Sequence, residues 1–180
     1  MEIRAHTEPL EIRSASQRLV CGRLVPYGHD QRITDQLTER FERGAFNHQL
    51  NAPNRVGFRH EHSNQPGTLK IGHGVLLRDE KEGLYGEFKV AASPMGDHYL
   101  QLAREGMLRQ WSIGFAPEKE RRDGDVTIWT RANLFELALV EEGAYGELAS
   151  VAAVRTPIPP LARDVLREKF AKLPPARFPR

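Results

Sequence analysis

The chain has 180 residues, with 26 lysines and arginines against 24 aspartates and glutamates, and a formal net charge of +2. This balance gives no general electrostatic argument for nucleic acid, and the single cysteine, Cys21, excludes an internal disulfide and a cysteine-rich zinc site. No apolar run approaches the roughly 20 residues that span a bilayer, and the polar start carries no export segment, so we expect an intracellular protein with no membrane partner.

The first half of the chain is predicted to contain short strands and one helix. RLVCGRLVPYG indicates a strand that is closed by Pro26 and Gly28. ITDQLTERFERGAF predicts a helix over 33–46, ending near Gly44. LKIGHGVLL and GLYGEFKVA alternate apolar and polar residues, which predicts a hairpin across the charged turn RDEKEG.

The second half begins with a helix in DHYLQLAREG, for which Asp97 is the expected N-cap and Gly106 the expected stop. Strands follow in QWSIGFA, DVTIWTRA, LFELALV and VAAV, with a hairpin turn at 123–125. Many short strands with few helices predict a β-rich α+β domain, closed or nearly closed, over residues 1–155.

A proline-rich junction separates this domain from residues 156–180. The segment LARDVLREKFAKL has apolar residues on one face, and prolines stand on both sides of it. Basic residues outnumber acidic ones here, so this composition predicts a linker followed by a basic amphipathic helix.

The candidate nucleophile is Ser112. In a strand, alternation places Trp111, Ile113 and Phe115 on the core side and leaves Ser112 and Gly114 on the open side. A nucleophile needs this arrangement, because a rigid mount must leave room for a substrate carbonyl. A serine in a strand is nevertheless more often structural, so the pattern alone does not decide.

A serine hydroxyl needs a base within hydrogen-bond reach. Among the seven histidines, His60 and His62 stand at the end of a short strand, in VGFRHEHSNQPG, where a ring can reach a cleft. Glu136 lies in the apolar strand LFELALV, and a buried carboxylate requires a partner. That partner is either an imidazole that needs orienting or an arginine such as Arg109 or Arg131, and the residues favour neither.

A metal site is the rival interpretation. His60, His62 and His73 could supply three imidazoles to a catalytic zinc ion, although no cysteine or carboxylate completes the set at a recognisable spacing. Glycine-rich phosphate loops and a GxSxG motif are absent from the sequence. We therefore expect no metal and no cofactor.

Five segments, in order, resemble the prohead protease family of tailed phages. GRLVPYG resembles its first strand, ERFERGAF an internal block, and VGFRHEHSNQPG the strand that carries the histidine. GLYGEFKV with GDHYLQLAREGMLRQWSIGF resembles the strand, helix and serine block, and LFELALVEEGAYGELASVAAVR the closing segment. The resemblance spans about Arg18 to Arg155.

The resemblance implies a serine endopeptidase with an assemblin-like β-barrel surrounded by a few helices. It implies Ser112 as nucleophile, His62 as the base and Glu136 as the residue that orients His62, with Glu141 and Glu142 as substitutes in this third role. It also implies that the enzyme cleaves the scaffolding region of the major capsid protein, and itself, inside the immature capsid in the host cytoplasm. Self-association is a further expectation.

One departure from the family pattern concerns the base, since Glu61-His62-Ser63 replaces the usual Asn-His-Asp and leaves His60 as a competitor. The oxyanion donors are expected among the backbone N–H groups from Ser112 to Gly114. Two alternative functions stay open: a non-catalytic scaffolding module of the same fold, and a metal-dependent hydrolase that uses the histidine cluster.

Overall fold

The computed structural model describes residues 18–60, 62, 69–141 and 143–155, without the side chains of residues 147 and 152–155. These residues form nine strands, one α-helix and three short 3₁₀ helices. The predicted β-rich α+β class is confirmed, although a single α-helix in the described part stands where a few were expected. No helix in that part is long and apolar enough to cross a membrane.

The strands and the helix have the following bounds: β1 Leu19–Pro26, β2 Gln31–Thr34, β3 Leu37–Phe41, β4 Gly57–Arg59, β5 Lys70–Asp79, β6 Gly83–Val90, α1 Pro94–Arg104, β7 Gln110–Asp123, β8 Val126–Val140 and β9 Val151–Arg155. The 3₁₀ helices are Asn47–Gln49, Pro53–Arg55 and Gly146–Leu148.

The strands form one mixed sheet in the order β2-β3-β8-β4-β5-β6-β1-β9, and β7 pairs with the other edge of β8. Strand β8 is the hub: on one side it runs parallel to β3 and then to β4, and on the other side it is antiparallel to β7. The nucleophile candidate and the buried glutamate therefore lie on neighbouring strands.

The predicted closed barrel is not shown, because the sheet is open between β7 and β9 within the described residues. In place of a strand pairing, an isolated antiparallel bridge joins Gln110 of β7 to Ser150, the residue before β9. Two backbone hydrogen bonds flank it, with Trp111 N–H donating to Ala149 O and Val151 N–H donating to Arg109 O, both at 2.8 Å.

The core beneath the sheet is aromatic where it supports the candidate site. The rings of Phe58 and Phe88 lie 5.6 Å and 5.7 Å from that of Trp111, and all three side chains are fully buried. Burial of one such side chain stabilises a fold by about 1.5–3 kcal/mol. Because Phe58 is in β4 and Trp111 in β7, this cluster fixes the positions of the two strands on either side of β8.

Both predicted hairpins are present. In β6, Leu84, Phe88 and Val90 are buried while Lys89 is exposed, as the period of two requires. The β7–β8 turn contains Gly124 at φ +57°, a conformation that favours glycine. Two predicted strands, DVTIWTRA and LFELALV, belong to the single strand β8.

The helix α1 begins four residues earlier than predicted. Ser93, not Asp97, is the N-cap, and its Oγ accepts a hydrogen bond from Gly96 N–H at 3.2 Å. Asp97 lies in the first turn, where it pairs with Arg18 at 2.5 Å. The helix ends before Gly106, whose φ of +72° suits the predicted stop.

The predicted helix over 33–46 is wrong. Strands β2 and β3 stand there, joined by a turn in which Gln36 N–H donates to Thr34 Oγ1 at 3.2 Å. In β3, Glu39 and Phe41 are buried and Arg40 between them is only partly so, which is a period of two. The prediction failed because β3 pairs in parallel with the distant strand β8, and tertiary pairing of this kind overrides local propensity. The linker and helix predicted for residues 156–180 lie outside the described residues.

Candidate active site

Ser112 lies near the start of β7, directly opposite Ala138 of β8. Its neighbour Trp111 is fully buried, and Ile113 packs partly buried against the core. The strand therefore anchors its large side chains on one side and presents the serine on the other, as alternation predicted.

Two rows of paired residues cross β4, β8 and β7 on the face that carries Ser112. Residues that are directly paired share a face of a sheet, and neighbouring strands lie roughly 4.8 Å apart. One row consists of Gly57, Glu136 and Gly114, and the next consists of Arg59, Ala138 and Ser112. Glu136 is thus flanked by glycine on both sides, with Ser112 and Arg59 one row away.

His62 follows the end of β4 and bridges two of these side chains. Its Nε2 lies 2.7 Å from Ser112 Oγ, and its Nδ1 lies 3.0 Å from Glu136 Oε1. An ionised carboxylate can only accept hydrogen bonds, so Nδ1 carries the proton and donates it to Glu136. Nε2 is then an acceptor, and the Ser112 hydroxyl donates to it.

Glu136 is only 4% exposed, and its second oxygen has a cationic partner. Arg59 Nε lies 3.2 Å from Glu136 Oε2. The two kinds of partner that the sequence left open are therefore both present, but the arginine is neither of those named. Of the two arginines suggested from the sequence, Arg131 pairs with Glu118 at 2.5 Å. The backbone N–H of Arg109 donates to Val140 O.

Sequence reasoning missed Arg59. The available signal was its position, since it stands three residues before His62 in the segment VGFRHEH. Its importance depends on the parallel pairing of β4 with β8, which places Arg59 beside Ala138. Parallel partners are distant in sequence, and periodicity does not reveal them.

Gly114 has a different role from the one inferred from sequence. We expected it to clear the approach to Ser112, but a Cβ on Gly114 would lie 2.5 Å from Glu136 Cγ and 2.9 Å from Oε1. The missing side chain therefore makes room for the glutamate. On the opposite side, a Cβ on Gly57 would meet nothing closer than Phe135 O at 3.7 Å.

The rival base His60 is engaged elsewhere. Its Nδ1 accepts a hydrogen bond from Leu69 N–H at 3.1 Å, and its carbonyl accepts one from Tyr99 Oη at 3.0 Å. His73 is exposed on β5. Within the described residues, no three histidine, cysteine, aspartate or glutamate side chains are arranged to hold a metal ion, so the placement of His60, His62 and His73 does not support the zinc interpretation.

A cleft of about 440 Å³ adjoins His62. Its lining includes Tyr99 from α1, Leu108, Val140 at the end of β8, and Glu141, which follows that strand. Glu141 is exposed in this cleft, and it is Glu136 that contacts His62 Nδ1. Glu142, the other suggested substitute, lies outside the described residues.

This constellation can perform nucleophilic chemistry. A hydroxyl, an imidazole and a carboxylate in this hydrogen-bonded order form the arrangement that activates a serine for attack on a carbonyl carbon. A family model described as caudovirus prohead serine protease matches residues 7–161, a range that contains all three residues. A search of curated proteins finds no match.

Proposed function

The chain belongs to the caudovirus prohead serine protease family, and we propose that it is a serine endopeptidase that cleaves the scaffolding region of the major capsid protein, and itself, during prohead maturation. Membership makes the chain a protease of capsid maturation. The observation that supports the serine mechanism is the His62 ring, which lies 2.7 Å from Ser112 Oγ and 3.0 Å from Glu136 Oε1.

Acylation would begin with attack of Ser112 Oγ on the scissile carbonyl carbon. As the O–C bond forms, the hydroxyl proton passes to His62 Nε2 and gives an imidazolium. Glu136 holds the Nδ1–H and stabilises this cation without taking its proton. The imidazolium then gives the proton to the amide nitrogen as the C–N bond breaks, and the amine product leaves.

Deacylation would repeat these steps with water. His62 Nε2 removes a proton from the water as its oxygen attacks the acyl carbon. Collapse of the second tetrahedral intermediate returns the proton to Ser112 Oγ and releases the acid product.

The Ile113 N–H group is our candidate oxyanion donor. Trp111 N–H donates to Ala149 O, away from β8, and N–H groups two residues apart point to the same edge of a strand. Ile113 N–H therefore faces the edge of β7 that lies opposite β8, directly after the nucleophile. A single donor of this kind contributes about 10²–10³-fold to kcat in known hydrolases.

The cleft beside His62 supports a polypeptide substrate. Its apolar side chains, Tyr99, Leu108 and Val140, can receive a side chain close to the scissile bond. We further propose that the enzyme acts inside the immature capsid, in contact with capsid protein and with copies of itself. The Gln110–Ser150 bridge is the position at which an assemblin-like barrel would close.

The test is co-expression with the capsid protein encoded beside the protease, with intact masses measured for wild type and Ser112→Ala. Ser150→Ala is a matched control, because it removes a hydroxyl close to β7 without touching the His62 ring. We expect truncated capsid protein and truncated protease with wild type and Ser150→Ala, and full-length chains with Ser112→Ala.

Other outcomes separate the alternatives. Equal truncation in the wild type and Ser112→Ala would move the catalytic centre elsewhere, and chelator sensitivity would then test the histidine cluster. Full-length chains in every sample, in particles that assemble, would favour a non-catalytic scaffolding module.

A further inference from the structure

We propose that Arg59 is a positioning residue that holds Glu136 in place and thereby orients the His62 ring. The proposal rests on the function proposed above, because it concerns the same site. It adds a fourth group to Ser112, His62 and Glu136, and this group comes from a different strand.

The two oxygens of Glu136 have different partners. Oε1 lies 3.0 Å from His62 Nδ1, and Oε2 lies 3.2 Å from Arg59 Nε. A carboxylate that is held by both oxygens cannot rotate about its last bond without breaking one contact. The ion pair with Arg59 therefore fixes the carboxylate whose other oxygen orients the imidazole.

The charge of Glu136 also requires Arg59. The carboxylate is 4% exposed, and the imidazole that contacts it must be neutral in the resting state in order to act as a base. A buried, uncompensated charge is strongly unfavourable, so a carboxylate in this position requires a positive partner. Arg59 supplies the missing positive charge, and its side chain, 29% exposed, remains partly hydrated.

The other charged groups nearby are unchanged when Arg59 is replaced. His60 and Glu141 line the cleft with His62, and Lys70 of β5 reaches within 3.8 Å of the position of a Cβ on Gly57. A change at His62 in an Arg59 variant therefore reports the effect of Arg59.

The backbone presents Arg59 to this position. Phe58, the preceding residue, is fully buried against Trp111 and so directs the next side chain to the face of the sheet that carries Ser112. The pairing of Arg59 with Ala138 then places Arg59 one row from Glu136. The side chain of Ala138 is too small to separate the two charged groups.

The experiment records the His62 Nδ1–H proton signal by NMR in Ser112→Ala protein, with and without Arg59→Gln and Arg59→Lys. This measurement needs no cleavage, so its result is independent of whether the chain cleaves capsid protein. Arg131→Gln is the matched control, because Arg131 of β8 pairs with Glu118 of β7 away from the site. With Ser112 restored, kcat and KM are measured on a capsid-derived substrate.

We expect Arg59→Gln to broaden the His62 Nδ1–H signal and shift it upfield, because the carboxylate that accepts this proton is no longer held in place. With Ser112 present, kcat should fall on the order of tenfold with little change in KM. Arg59→Lys keeps the charge but not the planar guanidinium and should give an intermediate signal, while Arg131→Gln should change neither quantity.

An unchanged Nδ1–H signal in folded Arg59→Gln would overturn the proposal, since a purely structural arginine changes stability without changing the contact between His62 and Glu136. If Arg59→Gln does not fold, Arg59→Lys decides the positioning role, because it keeps the charge but not the planar guanidinium. A wild-type signal together with wild-type kcat in Arg59→Lys would then contradict that role.

Discussion

Two buried glutamates near opposite ends of β8 show what the partners of a carboxylate determine. Glu39 and Glu136 are both 4% exposed. Glu39 accepts hydrogen bonds from Trp129 Nε1 at 2.7 Å and from the hydroxyl of Tyr145, whereas Glu136 contacts Arg59 and His62. Burial alone therefore does not identify a functional carboxylate.

The difference lies in whether the partners can move a proton near neutral pH. An indole N–H does not titrate there, and burial, together with the Glu39 carboxylate, raises the pKa of Tyr145 above its usual value near 10. Imidazole is the side chain that titrates between pH 5 and 8. We infer that Glu39 holds β3 against β8 and that Glu136 serves the serine.

The largest predicted effect belongs to Glu136→Gln. The amide would keep the shape but could donate to His62 Nδ1, which favours the tautomer that cannot accept the Ser112 proton. We expect kcat to fall about 10³- to 10⁴-fold, as for a comparable change in a serine protease triad. Cleavage of a capsid-derived substrate, corrected for the folded fraction, measures this.

Glu39→Gln should show the opposite pattern. One of its two donors would lose its acceptor, at a cost of about 1–3 kcal/mol in the free energy of unfolding. Activity for each folded molecule should stay at the wild-type level. If Glu39→Gln reduced kcat as much as Glu136→Gln while the protein stayed folded, the division of roles between the two carboxylates would be wrong.

A smaller effect is predicted for Gly114→Ala, with Gly57→Ala as its matched control. These glycines flank Glu136, but only at Gly114 would a Cβ meet the glutamate, at 2.5 Å from its Cγ. Displacement of the carboxylate by about an ångström should lower kcat/KM on the order of 10²-fold. The nearest atom to a Cβ on Gly57 is at 3.7 Å, so that variant should remain active. Equal losses in the two variants would contradict this explanation.

The smallest predicted effect is that of Tyr145→Phe on stability. Loss of the hydroxyl removes one donor from Glu39, which should cost about 1–3 kcal/mol at pH 7 and leave kcat unchanged. The wild type should also lose stability as pH rises above about 10, because the unfolded tyrosine ionises there while the buried one stays protonated.

This alkaline loss should amount to about 1.4 kcal/mol per pH unit for each tyrosine whose pKa is raised. Burial also raises the pKa of Tyr27, so Tyr145→Phe should retain part of the slope. Urea unfolding between pH 8 and 11 tests this, and an identical slope in the two proteins would show that Tyr145 ionises freely.

The sequence predicted the local features of the fold better than the distant ones. The β5–β6 and β7–β8 hairpins follow from period-two alternation and turn residues, which are local signals. The helix predicted over 33–46 was wrong because β3 is set by its parallel pairing with β8, almost ninety residues away. Tertiary pairing of this kind overrides local propensity.

The site, too, was predictable only where its signals are local in the sequence. Ser112 and Glu136 stand out as a serine on an anchored strand and an acid in an apolar one, and the family resemblance singled out His62. Arg59 and the role of Gly114 depend on which strands lie beside β8, and spacing along the chain carries no record of that. Their roles in catalysis remain predictions for the experiments above.

The bridge between Gln110 and Ser150 has a consequence for the order of synthesis. The strand that carries Ser112 receives its contacts with Ala149 and Val151 from the segment that leads into β9, and β9 in turn pairs with β1. A nascent chain emerges from its N-terminus, so these contacts cannot form until residues 149–155 have been translated. A ribosome-bound chain that ends before residue 149 would carry Ser112 without these contacts. An incompletely translated protease should therefore be unable to cleave other proteins that are being synthesised nearby.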